Sequence, residues 1–306
     1  MEKLSQREKR RNPLIIILGP TASGKSVLGV QLAKRFKGEV VSADSRQVYK
    51  EIPIGTETMS KKEMRGIPHH LLGIASLKKK FDVVQYQKKA YEAISSIHAR
   101  RKLPFLVGGS ALYIYAVADG ILFPSVKPNA TLRKQLEKLS VKELFAKLKK
   151  LDPRRAKTIE KENPRRLIRA IEIVMQTKKP VPLLQRRSLF SPLLFIGIKK
   201  SPLELQKRIR ARIKEHMRKG WITEVRKLLK NGIGEKRIQE IGLGYQWVLP
   251  YLKKEISGEE LVDRTQRAEL DFVRRQMSWF KKDKRIHWVR SVSQASGIML
   301  DKIVNK

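Results

Sequence analysis

The chain has 306 residues, 41% of them hydrophobic, which allows one large or two smaller domains with a real buried core and excludes a disordered polyelectrolyte. Lys and Arg number 68 against 29 Asp and Glu, a net charge of +39, and such an excess points to a polyanionic partner, nucleic acid first. The absence of cysteine excludes disulfides, thiolate zinc sites and a cysteine nucleophile, and no apolar run approaches the ~20 residues needed to span a bilayer, so a cytoplasmic protein without membrane contact is expected.

The basic start, MEKLSQREKRRNP, leads into a strand rather than a signal sequence. Residues 13–18 (PLIIIL) read as that buried strand, and residues 24–36 (GKSVLGVQLAKRF) as a helix with Leu28, Leu32 and Phe36 on one stripe, stopped by Gly38. EVVSAD (39–44) is a second short strand, residues 81–102 an amphipathic helix, and LPFLVGGS (103–110) a third strand. His69 and His70 are adjacent, cannot share a helix face and make a poor metal pair. This alternation predicts an α/β fold, a parallel sheet covered by helices. From Pro124 the pattern changes. Residues 126–191 are helical in character, bounded by prolines, and carry 19 Lys/Arg against 6 Asp/Glu, a basic helical insertion. LLFIGI (193–198) returns to the sheet, residues 202–232 read as one long helix, further helices run to about Lys284, and RIHWV (285–289) fits a last strand. The expected division is a catalytic core of residues 1–125 and 192–306 with an insertion at 126–191.

Between the first strand and helix, Gly19, Pro20, Thr21, Ala22, Ser23, Gly24, Lys25 and Ser26 fit G-x-x-x-x-G-K-[ST] at every required position. In such a loop the backbone N–H groups and the helix N-terminus cradle an anion, Lys25 adds a mobile charge, and Ser26 Oγ is placed to ligate Mg²⁺. The motif, shared with ATP-binding proteins, specifies a diphosphate or triphosphate, not a nucleotide. Asp44 ends a neighbouring strand and faces the same crevice; it fits a general base, a cap or a water-mediated magnesium ligand. Ser110 ends another strand, as a crevice residue or a helix cap, after Gly108 and Gly109, which permit close backbone approach. Trp279, Phe280 and Trp288 sit among cations but read as core anchors before base-stacking groups. The run RKQLEKLSVKELFAKLKKLDP (133–153) fits a solvated helical pair and an RNA-facing one equally well.

The segments GPTASGKS, DSRQVY, IPHHLL, FDVVQYQKKA, VGGSALYI, NPRRLIRAIE, RIRARIKEHMRKGWITEV, IGLGYQ and RRQMSWFKKDKRIHW occur in this order. Together they resemble the tRNA dimethylallyltransferases, or tRNA isopentenyltransferases, of bacterial type, from Leu14 to about Val289. The resemblance implies a P-loop core related to nucleoside kinases and a helical insertion that closes on the anticodon stem-loop. It implies transfer of the dimethylallyl group from dimethylallyl diphosphate to N6 of the adenosine just 3′ of the tRNA anticodon, position 37, with Mg²⁺. On this resemblance Asp44 accepts the N6 proton, and Ser45, Arg46 and Gln47 touch the flipped adenosine and its neighbours. Ser110 matches a family threonine near the reacting centre, Arg212 grips the diphosphate, and Arg165, Arg166 and Arg169 fall on a tRNA-contacting motif. The chain departs from the family in having Arg for Gln at 165, Gly-Gly-Ser-Ala for Gly-Gly-Thr-Gly at 108–111, and no Asp-Arg after LLFIGI. The zinc finger of eukaryotic relatives is excluded by the lack of cysteine, and a monomer is expected. The rival readings are a P-loop kinase acting on a nucleoside, nucleotide or RNA end, and an RNA-binding protein with a relic P-loop.

Overall fold

The computed structural model describes residues 12–304; the basic stretch before them lies outside the described residues. The chain runs through β1 (Leu14–Leu18), α1 (Lys25–Arg35), β2 (Gly38–Ala43), the single turn α2 (Lys61–Met64), β3 (His69–His70), α3 (Val83–Ala99), β4 (Leu103–Gly108) and α4 (Ala111–Ala118). Four helices follow: α5 (Ala130–Leu136), α6 (Val141–Leu151), α7 (Pro153–Thr158) and α8 (Pro164–Thr177). Then come β5 (Leu193–Ile198), α9 (Pro202–Arg218), α10 (Trp221–Lys230), α11 (Glu235–Ile241), α12 (Tyr245–Leu252), α13 (Gly258–Phe280), β6 (Ile286–Val289) and α14 (Val292–Met299).

The six strands form one sheet, in the order β3-β2-β4-β1-β5-β6, and every pairing is parallel. β1 is central, and all five of its residues are buried. Helices cover both faces of such a strand, which is why it reads as an unbroken apolar run rather than an alternating one. Asp82 starts α3 with a capping box, its Oδ1 accepting from the amides of Val84 and Gln85 at 2.9 Å each.

Three local expectations differ from the structure. The first helix ends at Arg35 and Lys37, not Gly38, takes the left-handed turn (φ 50°). Gly38 instead opens β2, where a Cβ would lie 2.4 Å from the Leu103 carbonyl. The stretch 202–232 is two helices, because Gly220 turns left-handed (φ 92°) between α9 and α10. His69 and His70 form the edge strand β3 beside Val40 and Val41, and the His70 ring is 2.7 Å from the buried Glu39 carboxylate.

The chain divides into two compact units, Met1–Gly120 with Ser188–Lys306, and Ile121–Arg187. The second unit starts before and stops short of the expected 126–191, because its two ends pair: Leu122 N donates to Gln185 O at 2.9 Å and Ile121 bridges Arg186. It has its own core of Leu136, Leu144, Leu148, Leu167 and Ile171. Against that core Glu172 is fully buried and ionised, accepting from Arg133 Nε (2.8 Å) and Nη2 (2.6 Å), Arg169 Nη1 (2.6 Å) and the Asn129 amide (2.7 Å). Burial opposes its charge, but Arg133 and Arg169 overcome it and hold the carboxyl below its usual range. Removing one side of a buried pair costs about 3–5 kcal/mol. Glu172→Ala should therefore speed amide hydrogen exchange throughout residues 121–187 while the sheet unit stays protected; unchanged exchange in α8 would show that the ion pair does not hold this unit.

Candidate active site

The parallel register brings the ends of β1, β2 and β4 to one level: Leu18 pairs with Gly108, and Ala43 with Gly108. Gly19, Asp44 and Gly109 thus leave adjacent strands at the carboxyl edge of the sheet, where ligands bind in open α/β folds. Gly108 is required there, since a Cβ would sit 2.1 Å from the Ala43 carbonyl. The loop Gly19–Ser26 turns into α1 through two left-handed residues, Ala22 (φ 59°) and Gly24 (φ 92°). For alanine that conformation costs roughly 1–2 kcal/mol, a strain the surrounding contacts must hold. Ser23 Oγ is buried in the loop with no hydrogen-bond partner among the described residues. Gln276 of α13 accepts from the Thr21 amide (2.9 Å) and donates to Gly109 O (2.8 Å), so one side-chain amide bolts the loop to the turn after β4.

A cleft of about 410 Å³ opens at this edge, lined by Thr21, Lys25, Asp44, Glu57, Arg212 and His216 among others. Arg212, on α9, donates from Nη2 to Thr21 Oγ1 (2.8 Å) and to Glu269 of α13, and from Nη1 to Glu57 (2.9 Å). Burial works against its charge, but Glu269 and Glu57 outweigh burial and hold the guanidinium above its usual range. Among the described residues Lys25 has no such carboxylate in contact, and its Nζ reaches only Pro20 O at 3.4 Å. Burial pulls its ammonium below the ordinary lysine value, Arg212 pushes the same way, and Asp44 opposes them. Both cations gain from an anion in the cleft, Lys25 most.

Asp44 caps the turn that follows β2: its Oδ1 accepts from the amides of Arg46 (2.8 Å) and Gln47 (3.4 Å). Oδ2 keeps no hydrogen-bond partner among the described residues. The carboxylate is both cap and cleft residue. Ser110 occupies the N-cap position of α4 but does not cap it; its Oγ accepts from Ser45 N (3.0 Å) and donates to Ser45 Oγ (3.2 Å). Arg46 donates to Ile241 O (2.9 Å) and lies 5.2 Å from the Phe272 ring, which Arg275 also approaches at 5.8 Å. Gln47 bonds Ser42 Oγ (3.0 Å) and the carbonyls of Thr56 (3.1 Å) and Glu57 (3.2 Å), fixing the segment that carries Glu57. Glu224 anchors the same segment, accepting from Ile54 N (2.8 Å), Gly55 N (3.2 Å) and Tyr245 Oη (2.7 Å).

Ser26 does not line this cleft. It opens on a second one of about 290 Å³ with Val40, Ser42, Gln47, Met59, His69, Leu72 and Val107, so the turn at 44–47 walls both. In the helical unit Arg165 is exposed, Arg166 makes a 3.1 Å pair with Glu160, and Arg169 is committed to Glu172 and to Val126 O (2.8 Å). Phe280 is fully buried, as a core anchor is, but Trp279 is not one: it stacks on Tyr115 with centroids 6.0 Å apart and is otherwise exposed, at 38%.

Sequence reasoning missed Glu57, Glu269, Gln276, Phe272 and His216. Glu269 and Gln276 stand seven apart on one helix, two turns on one face, a polar pair inside an otherwise core-facing stripe. Arg212 and His216 stand four apart on α9, again one face.

The His216 imidazole is 6% exposed, and burial, reinforced by Arg212, pushes its pKa down to about 4. The folded protein thus binds fewer protons at this ring than the unfolded chain between pH 6.5 and 4, so stability is complete above that window and falls as pH drops through it. The loss should be of order 3 kcal/mol. His216→Met should flatten chemical-denaturation midpoints across this range; an unchanged slope would assign the acid loss to other groups.

A family model described as IPP transferase matches residues 47–283 of the chain. The chain is 38% identical over 286 residues to the tRNA dimethylallyltransferase of Caldanaerobacter subterraneus subsp. tengcongensis, covering 90% of each. It is 40% identical over 283 residues to that of Halothermothrix orenii, covering 90% of this chain and 86% of the other. Its fold matches the crystal structure of a tRNA isopentenylpyrophosphate transferase from Bacillus halodurans at TM-score 0.72 and 34% identity, covering 96% and 97% of the two chains. It also matches a eukaryotic dimethylallyltransferase acting on tRNA at TM-score 0.76 and 26% identity, covering 96% of this chain and 80% of that one. With the phosphate loop, the strand-end aspartate and the opposing arginine in one cleft, the chain belongs to the IPP transferase family.

Proposed function

We propose that the protein transfers the dimethylallyl group of dimethylallyl diphosphate to N6 of the adenosine 3′-adjacent to the anticodon of tRNA. The observation that carries this reading is that two partly buried cations, Lys25 and Arg212, and one carboxylate with a free oxygen, Asp44, line a single cleft at the end of the phosphate loop. The names of the relatives support it over a nucleoside kinase. The exocyclic amine of adenine is a weak nucleophile, because its lone pair is delocalised into the ring. It must lose a proton as it attacks the allylic carbon, and Asp44 Oδ2 receives that proton while the two amides on Oδ1 keep the carboxylate in place. As the carbon–oxygen bond breaks, negative charge gathers on the diphosphate, and the loop amides, Lys25 and Arg212 are aimed at it. Ser110 acts through Ser45, holding the Asp44 turn.

Three or more acidic or imidazole ligands do not converge anywhere among the described residues, so a protein-built magnesium cage is not the arrangement. Mg²⁺ would have to arrive with the diphosphate itself, because Ser26, the residue the loop motif offers it, opens on the neighbouring cleft and not on the one that Lys25 and Arg212 line. Bound to the diphosphate, the ion would neutralise part of the leaving charge. The net charge of +39 suits an RNA acceptor, whose target base must leave its stack at a cost of a few kcal/mol. The exposed arginines of the helical unit would grip the backbone meanwhile. With tRNA as acceptor, we place the enzyme in the cytoplasm, acting as a monomer.

Asp44→Asn keeps the turn and removes the base. Turnover in a labelled dimethylallyl diphosphate assay should fall by about two to four decades, the range for a general base, with tRNA affinity intact; a loss under about tenfold would send the proton elsewhere. Arg165→Ala with Arg166→Ala should weaken tRNA in filter binding and lower the slope of log affinity against log salt by about 1–2. An unchanged slope would clear the helical unit of backbone contact.

A further inference from the structure

His216 is a buried titratable group of the cleft to which the transfer chemistry gives no task. It stands one turn beyond Arg212 on α9 and lines the cleft with Thr21, Lys25 and Arg212. Its Nε2 is buried and has no hydrogen-bond partner among the described residues. Trp221 meets the ring edge-on, centroids 6.3 Å apart, and is itself buried against Tyr245 at 5.6 Å. An orphaned polar atom of this kind is costly to the free protein, and a ligand that satisfies it recovers that cost on binding.

We infer that His216 hydrogen-bonds the phosphate end of the donor beside Arg212 and takes up a proton as that anion binds. The inference rests on the diphosphate reading of this cleft. The charges facing the ring are Arg212 and Lys219, which drive a proton off, and Glu57 and Glu215, which favour one; the Trp221 indole is neutral. Burial and Arg212 prevail in the free protein, so the imidazole is neutral at pH 7. A diphosphate brings several negative charges to the same cleft, and an anion within ~4–6 Å favours the charged ring. Both ring nitrogens of an imidazolium donate, so the orphaned one acquires an acceptor. Arg212 supplies a fixed charge to the diphosphate, whereas His216 supplies one only when the diphosphate is there.

The test uses inorganic pyrophosphate with Mg²⁺ as the probe, in isothermal calorimetry at pH 7 in two buffers of different ionisation enthalpy. The wild-type protein should take up a sizeable fraction of one proton per pyrophosphate. His216→Met, similar in size and apolar, should abolish the uptake and weaken binding by roughly tenfold, the scale of one hydrogen bond to a charged group. His216→Gln should restore part of the affinity and none of the uptake. Nitrogen-15 spectra of the wild-type histidines, which need no variant, should show one imidazole becoming protonated on titration with pyrophosphate. Wild-type binding without proton uptake, a His216→Met affinity within twofold of wild type, or uptake that survives in His216→Met each overturns the assignment. Prenyl transfer to tRNA is assayed separately: a protein that binds pyrophosphate through His216 but transfers no prenyl group would overturn the transferase reading and leave this one standing.

Discussion

The site is organised around a buried ion pair, Arg212 with Glu269. A guanidinium placed beside a phosphate loop must be desolvated to be effective, and a desolvated charge without a partner is prohibitively expensive. Glu269 supplies the partner from α13, and through Thr21 Oγ1 the same guanidinium grips the loop itself. Gln276, two turns along α13, fixes the loop backbone, so a single helix sets both the charge balance and the position of the cradle. The sheet brings the strand ends together, but α9 and α13 turn those ends into a site.

The two cations of the cleft differ in kind. Arg212 is neutralised before any ligand arrives, by Glu269 within the protein and by Glu57 at the exposed rim. It is a rigid, pre-oriented donor whose field is largely spent on its partners. Lys25 is held in a dry place with its charge weakened, so its electrostatic energy is available to whatever enters. Preorganisation of this type, with donors fixed before charge develops, is the usual source of transition-state stabilisation in group transfer. The opposite wall is built on the same logic: the Asp44 carboxylate is pinned by one oxygen and left open at the other.

Much of this was legible in the sequence where chemistry is local. The loop at Gly19–Ser26 and the strand-end placement of Asp44 follow from motif and periodicity, and the resemblance singles out Arg212, because each depends on neighbours in the chain or on a recurrent pattern. What stayed hidden depends on distant pairing. Nothing local announces that Glu269 faces Arg212 across 57 residues, or that Gln276 reaches Thr21 across 255. Arg169 shows the converse: beside Arg165 and Arg166 it reads as one of three equivalent surface cations, yet the helix turns it inward to Glu172. The division of α9 from α10 was missed because the apolar stripe continues through Gly220, and only its left-handed backbone separates the two helices.

Gly55 carries a consequence for how this protein tolerates change. Loops ordinarily absorb substitution and insertion more readily than the elements they join. Here the segment at 52–57 is pinned by Glu224, and a Cβ on Gly55 would lie 2.4 Å from both the Trp221 indole nitrogen and the Tyr245 hydroxyl. These are fully buried rings, not the free ends of surface side chains, so they cannot step aside. In a library of random variants the lysine-rich helix surfaces should accept almost anything, while this short stretch without regular structure behaves as the least permissive part of the core.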